Sequence, residues 1–180
     1  MASLLPRSLV GKYSIFLLLC ISQTSFSSPH QPLARRLLTT TPRNIMTQYL
    51  TPHNKVRAKL GLPPLKWSNK LANYASWWGH QRQGNCELVH SQGDYGENLF
   101  WGSGKDWKPR DAVTTWARER PYYDYKSNSC KKNEQCLHYT QIVWKQSTRV
   151  GCAKVVCKTG DTLISCNYDP HGNVVGEKPF

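Results

Sequence analysis

The sequence predicts an α+β domain in which helices flank a small, mainly antiparallel sheet braced by three disulfides. Three observations point there. Apolar residues recur at helical spacing in three stretches between residues 44 and 120, and two β-like runs follow near the end. Six cysteines remain once an export segment is set aside. Helices placed early and a sheet built late make a layered α+β domain.

The first 28 residues read as a secretory signal peptide. Arg7 and Lys12 supply a positive start, Tyr13 to Ile21 a short apolar stretch, and Ser25, Ser27 and Ser28 a cleavage region. The apolar stretch is far short of the ~20 residues a membrane span needs, so the expected mature product is soluble and exported. Residues 29–43, rich in Pro, Thr and Arg, read as a flexible basic leader. In it Arg35-Arg36 is a solvated pair or a processing site. The folded domain is expected over 44–180, a length suited to one core.

A first helix is expected over 44–60, with Ile45, Tyr49, Val56 and Leu60 as its apolar stripe and Gly61 as its stop. Pro52 either kinks it or sits at its first position behind a Thr51 cap. Leu62-Pro63-Pro64-Leu65 is a rigid connector. A second helix runs from a Ser68 cap to about Gln83, with Leu71, Tyr74, Ala75 and Trp78 inward. Gly93 to Gly104, centred on Leu99-Phe100-Trp101, fits a strand or ordered loop. A third helix is expected over 106–120 with Val113, Trp116 and Ala117 buried, closed by Pro121. The polar stretch 128–135 reads as a loop. Residues 149–157 and 162–168 form an antiparallel hairpin turning at Gly160-Asp161.

Of 7 cysteines, Cys20 lies in the segment to be removed. An even set in an oxidising compartment implies three disulfides, and the count alone leaves 15 pairings open. Thiolate zinc binding is disfavoured because no pair has C-x2-C spacing. The net charge of +13 falls to +11 without Arg7 and Lys12. Such a balance attracts anionic cell-wall polymers or membrane surfaces. The basic residues are scattered and no nucleic-acid motif accompanies them, so nucleic acid is not an expected partner.

Two runs are the most informative: His138-Tyr139-Thr140-Gln141-Ile142-Val143-Trp144, and Cys166-Asn167-Tyr168-Asp169-Pro170-His171-Gly172-Asn173. With His53-Asn54-Lys55-Val56-Arg57, His90-Ser91, Tyr95-Gly96-Glu97-Asn98-Leu99, Trp116-Ala117-Arg118-Glu119 and Tyr122-Tyr123, they resemble the CAP superfamily. The nearest branch is the first class of plant pathogenesis-related proteins, in their basic form. The resemblance extends from about Thr47 to the C-terminus. Leu137 departs from it, standing where relatives usually carry Gly or a charged residue.

The resemblance implies an α-β-α sandwich and the pairings Cys86–Cys157, Cys130–Cys136 and Cys152–Cys166. It also implies a central cleft formed by His53, Glu97, Glu119 and His138, oriented by Asn98 and Gln141. Two imidazoles and two carboxylates are competent for a divalent metal such as zinc, for proton transfer, or for a purely structural cluster. A cleft with optional metal is preferred, then structure, with catalysis last because no nucleophile can be named. Ser91 beside His90 is a poor one, since neighbours in an extended segment face opposite ways. Tyr139, Ile142 and Trp144 read as core.

The resemblance further implies sterol or related lipid binding in a groove apart from the cleft, with no residue assigned to it. The end of the chain resembles a tail from which relatives release a signalling peptide by cutting between Asp169 and Pro170. Its Pro and Gly content suggests exposure, and packing of Phe180 as an ordinary chain end is the equal alternative. The expected protein is therefore a secreted, monomeric, non-enzymatic plant defence protein of the cell wall or apoplast, the vacuole remaining open. The alternatives are a metal-dependent hydrolase using the His/Glu cleft and a precursor of residues 170–180.

Overall fold

The computed structural model describes residues 42–180. The expected signal peptide, and the leader up to residue 41, lie outside them. Helix α1 (Pro42–Ala58) opens on proline, whose fixed φ and missing N–H suit a first helical turn. It therefore starts two residues inside the expected leader. The helix continues through Pro52 and gains no new start at Thr51. Its buried stripe is Tyr49, His53 and Arg57, while Ile45 is exposed and Val56 and Leu60 are partly buried. Two polar side chains thus hold positions on the inward face.

Ser68 caps α2 (Asn69–Gln81) as expected, its hydroxyl accepting the Leu71 N–H. Helix α3 (Pro109–Ala117) is shorter than its apolar spacing suggested. The residue before a proline is disfavoured in helical conformation, so the helix starts at Pro109. A 3₁₀ turn, Arg120–Tyr122, follows. Helix α4 (Leu137–Ile142) is too short for periodicity to have revealed it.

The main sheet has the order β1-β5-β6-β2. Strands β5 (Arg149–Val156) and β6 (Thr162–Asp169) form the expected hairpin, and β2 (Gly96–Gly102) pairs antiparallel with β6. Strand β1 (Lys66–Trp67) joins β5 in parallel, making the sheet mixed. A second ribbon, β3 (Tyr123–Asp124) with β4 (Ser129–Cys130), runs into the stretch expected as loop. Nearly all of β6 is buried, as expected of a strand covered on both faces. Ile164, Cys166 and Tyr168 join a core with Tyr49 of α1, Trp116 of α3 and Ile142 of α4. Helix α2 packs on β5 and β6, and Leu163 clusters with Cys86 and Cys157. The result is an α-β-α sandwich.

Close approach of α2 depends on Gly151. A Cβ there would lie 2.2 Å from the Ala72 nitrogen and 2.4 Å from the Ser68 carbonyl oxygen. All three pairings implied by the family resemblance are present, with sequence separations of 71, 6 and 14. Loop-closure reasoning assigns about 4 kcal/mol to the longest and about 2 to the shortest.

Candidate functional site

A cavity of about 370 Å³ opens beside the N-terminus of α4. His90, Glu97 and His138 line it, with Leu137, Asn98 and Cys130 among its walls. Strand β2 delivers Glu97 and Asn98, α4 delivers His138, and the Cys130–Cys136 bridge holds the facing loop.

Glu97 is the acceptor of a converging set. Its Oε1 receives Nδ1–H of His90 (2.7 Å) and the Ser91 backbone N–H (3.0 Å). Its Oε2 receives the Ser91 hydroxyl (2.7 Å) and the Asn167 amide (3.3 Å). Burial pushes the Glu97 carboxyl up, but the bonds from His90, Ser91 and Asn167 outweigh it and hold the pKa below its ordinary value. The same bond to Glu97 raises the pKa of His90. His90 and Ser91 both bond this carboxylate and not each other, so the imidazole does not activate the hydroxyl.

Glu119 and His138 form the second pair. Oε1 of Glu119 lies 2.6 Å from His138 Nδ1. Oε2 accepts the backbone N–H groups of His138 (3.0 Å) and Tyr139 (3.2 Å). The Cys136 side chain gives α4 no cap, so Glu119 satisfies the orphan donors of its first turn from another element. The His138 ring stacks on Trp116, 6.1 Å between centroids and 13° apart. In each pair the carboxylate engages Nδ1, leaving Nε2 as the nitrogen free for a ligand.

The structure thus brings together Glu97, Glu119 and His138, but not His53. His53 is fully buried behind Trp116, their ring centroids 6.4 Å apart. Its Nδ1 lies 2.8 Å from the Tyr49 carbonyl, which can only accept, so Nδ1 carries the proton. Nε2 then accepts from the Tyr168 hydroxyl at 2.8 Å. Burial drives the His53 pKa down to about 4, keeping the ring neutral. Its place in the cleft is taken by His90. Periodicity carried the missed signal: His53 falls four residues after Tyr49 on the inward stripe of α1, where a cleft ligand has no path to solvent.

Asn98 lies in the cavity wall. Its amide donates to the His138 carbonyl (3.0 Å) and to the Tyr168 hydroxyl (3.2 Å), linking His138 to His53. Gln141 does not. Its side chain runs between Gly96 and Gly172, neither of which has room for a Cβ beside it. There it accepts the Gly172 N–H (3.0 Å) and donates to Ser147 Oγ (3.2 Å). Gln141 therefore anchors the tail and not the cleft.

The tail lies against the body instead of hanging free. Asn173 bonds Thr140 and the Leu137 carbonyl, Lys145 N–H donates to Pro179, and Phe180 stacks on Tyr125 at 5.1 Å. Asp169 ends β6, its carbonyl accepting the Thr148 N–H, and the Pro170 carbonyl accepts from Ser147.

Against this geometry, a family model described as CAP, cysteine-rich secretory protein family, matches residues 50–168. The chain belongs to the CAP family. It is 46% identical over 169 residues to pathogenesis-related protein PR-1 of Medicago truncatula, covering 93% of this chain and 96% of that one. With pathogenesis-related protein 1 of Arabidopsis thaliana it shares 52% over 132 residues, 73% of this chain and 80% of the relative. Among solved structures, venom allergen-like protein 4 of Schistosoma mansoni superposes with a TM-score of 0.59 at 28% identity. That match covers 75% of this CAP chain and 92% of the other.

Proposed function

We propose that this CAP protein is a secreted, non-enzymatic plant defence protein that binds a sterol or related lipid. The observation that carries the defence reading is its similarity to plant pathogenesis-related proteins along nearly the whole of both chains. Binding is favoured over turnover because the Ser91 hydroxyl beside His90 donates to a carboxylate that an imidazole already holds. A second hollow of about 250 Å³, lined by Tyr123, Leu137, Trp144 and Val174, shares Cys130, Leu137 and Asn173 with the His/Glu cavity. An apolar wall beside a few fixed polar groups suits a rigid hydrocarbon with one polar end. Saturable binding of a labelled sterol to the purified mature protein tests this, with His138→Ala as control. No saturable binding across several sterols removes the lipid reading.

Metal binding is the second reading. The carboxylate on Nδ1 of each cavity histidine is the outer-shell arrangement that orients an imidazole toward a metal. His90 and His138 would hold a zinc ion through Nε2, and the ion would supply Lewis acidity at the cavity mouth. Among the described residues no group of three or more His, Cys, Asp or Glu converges as a ready-made cage, so added water or ligand would complete the coordination. Metal-dependent turnover of a peptide library, lost in His138→Ala and Glu97→Ala, would replace the binding reading with a hydrolase.

A further inference from the structure

We propose that residues 173–179 are a strap that walls the lipid site and is latched by Phe180 on Tyr125, so that ligand retention and tail exposure are one equilibrium. The hollow of about 250 Å³ has two sides. Tyr123, Leu137 and Trp144 belong to the body, and Val174, Gly176 and Pro179 of the tail complete the enclosure. Asn173 also lines the His/Glu cavity, so a ligand in either hollow meets the strap.

The strap is fixed at its ends and free in its middle. At the root Asn173 accepts the Thr140 hydroxyl (2.6 Å) and donates to the Leu137 carbonyl (2.9 Å). At the tip Asn128 Nδ2 donates to the Glu177 carbonyl (2.9 Å), the Lys145 N–H to that of Pro179 (2.6 Å), and the Tyr125 hydroxyl to the Phe180 oxygen (2.7 Å). Phe180 stacks on Tyr125 with the rings 21° apart, and Lys178 Nζ lies 4.3 Å from the centre of the same ring. Between the anchors residues 174–177 form a turn, closed by the Glu177 N–H on the Val174 carbonyl, with Gly176 at φ +85°. Val175 at its crest is 99% exposed.

Residues 170–180 belong to no helix or strand. Opening the strap therefore breaks the tip contacts and no sheet ladder, which is the character of a segment that opens locally. A protease takes an extended segment, so cutting at the crest requires release of the turn. A ligand that binds against the closed strap draws molecules out of the open form and slows cutting by the factor 1 + [L]/Kd. Reciprocally, a looser latch weakens binding in proportion to the fraction of molecules left closed. Neither Tyr125 nor Phe180 lines the hollow, so these positioning residues reach the ligand only through the strap.

The ligand of the strap rests on the lipid reading, and the test separates the two. Mature protein is titrated with dehydroergosterol, a fluorescent sterol. It is then digested with elastase, which cuts after small aliphatic residues, and mass spectra follow loss of the tail. With sterol at about ten times its Kd, cutting within 174–176 should slow about tenfold. Phe180→Ala keeps the main-chain bonds and loses the stack. It should speed cutting about fivefold, weaken sterol binding by a smaller factor and melt cooperatively. Sterol that binds wild type yet leaves cutting unchanged, or quickens it, overturns the strap and leaves the lipid reading standing. Phe180→Ala cut no faster than wild type does the same. Absence of saturable sterol binding removes both.

Discussion

Glu119 grips His138 at two points at once, the ring through Nδ1 at 2.6 Å and the main chain through its N–H at 3.0 Å. One carboxylate thus both orients a cavity imidazole and caps the helix that carries it. Six residues of helix are too few to persist alone. The far end of α4 is held by the opposite charge: Arg57 donates to the carbonyls of Ile142, Trp144, Ser147 and Pro63. Burial lowers the Arg57 pKa only to about 10, so it remains a cation at neutral pH. Acid at the N-terminus and base at the C-terminus is the favourable sense for a helix dipole.

Replacing Glu119 should therefore disturb fold and site together. Glu119→Ala leaves two backbone donors and an imidazole nitrogen without their partner, and should cost about 2–3 kcal/mol. Glu119→Gln keeps an acceptor oxygen and should cost about half of that. Urea unfolding measures both. Equal loss in the two variants would mean that an uncharged acceptor oxygen at this position contributes nothing.

The His90–Glu97 pair predicts a pH window. His90 has its pKa raised from 6.5, so its contribution is complete below pH 6.5 and fades as pH rises through the folded-state value. Glu97 has its pKa lowered from 4.5, so its contribution is complete above pH 4.5 and fades as pH falls through the folded value. The pair acts at full strength between pH 4.5 and 6.5. The melting temperature of His90→Ala should fall furthest below wild type near pH 5.5, with a smaller gap at pH 8. Because His90 is largely solvent-exposed, the gap should be a few degrees at most and shrink in salt.

His53 predicts the opposite slope. Its pKa of about 4 in the folded chain lies below the ordinary 6.5, so between these values the unfolded chain binds the extra proton. Stability from this group rises with pH across that interval, by about 3 kcal/mol in all. His53→Gln keeps a donor for Tyr49 and an acceptor for Tyr168, and should flatten the profile between pH 4 and 6.5. Urea midpoints at half-unit pH steps provide the comparison. An unchanged slope would mean that His53 is not held neutral by burial.

These residues also show where sequence reasoning reached and where it stopped. The β5–β6 hairpin and the Ser68 cap were legible because alternation, turn chemistry and capping are local. Disulfide pairing was legible only through family resemblance, since three bonds among six cysteines are fixed by the fold. Strand β1 and helix α4 escaped notice because two and six residues carry no usable period. His53 and His90 were exchanged for a related reason. Both stand in family-like motifs, and only packing reveals that one faces Tyr168 and the other the cavity. Gln141 likewise sits three residues after His138, yet its bonds to Ser147 and Gly172 direct it to the tail.

Gln141 offers the test of how firmly that tail is held. Its amide is buried between Gly96 and Gly172, with the carbonyl on the Gly172 N–H and the NH₂ on Ser147. Gln141→Ala leaves the Gly172 N–H unpaired, takes one donor from the Ser147 hydroxyl and opens a gap at the root of the tail, at a cost of about 2–3 kcal/mol. Local loss should exceed global loss, because the remaining anchors, Asn173 on α4 and Phe180 on Tyr125, lie further along. Amide exchange at Gly172 and Asn173 should rise well beyond that of β6, and limited proteolysis should cut between residues 170 and 180 sooner than in wild type. Uniform acceleration across the whole sheet would instead make Gln141 an ordinary core residue with no particular hold on the C-terminus.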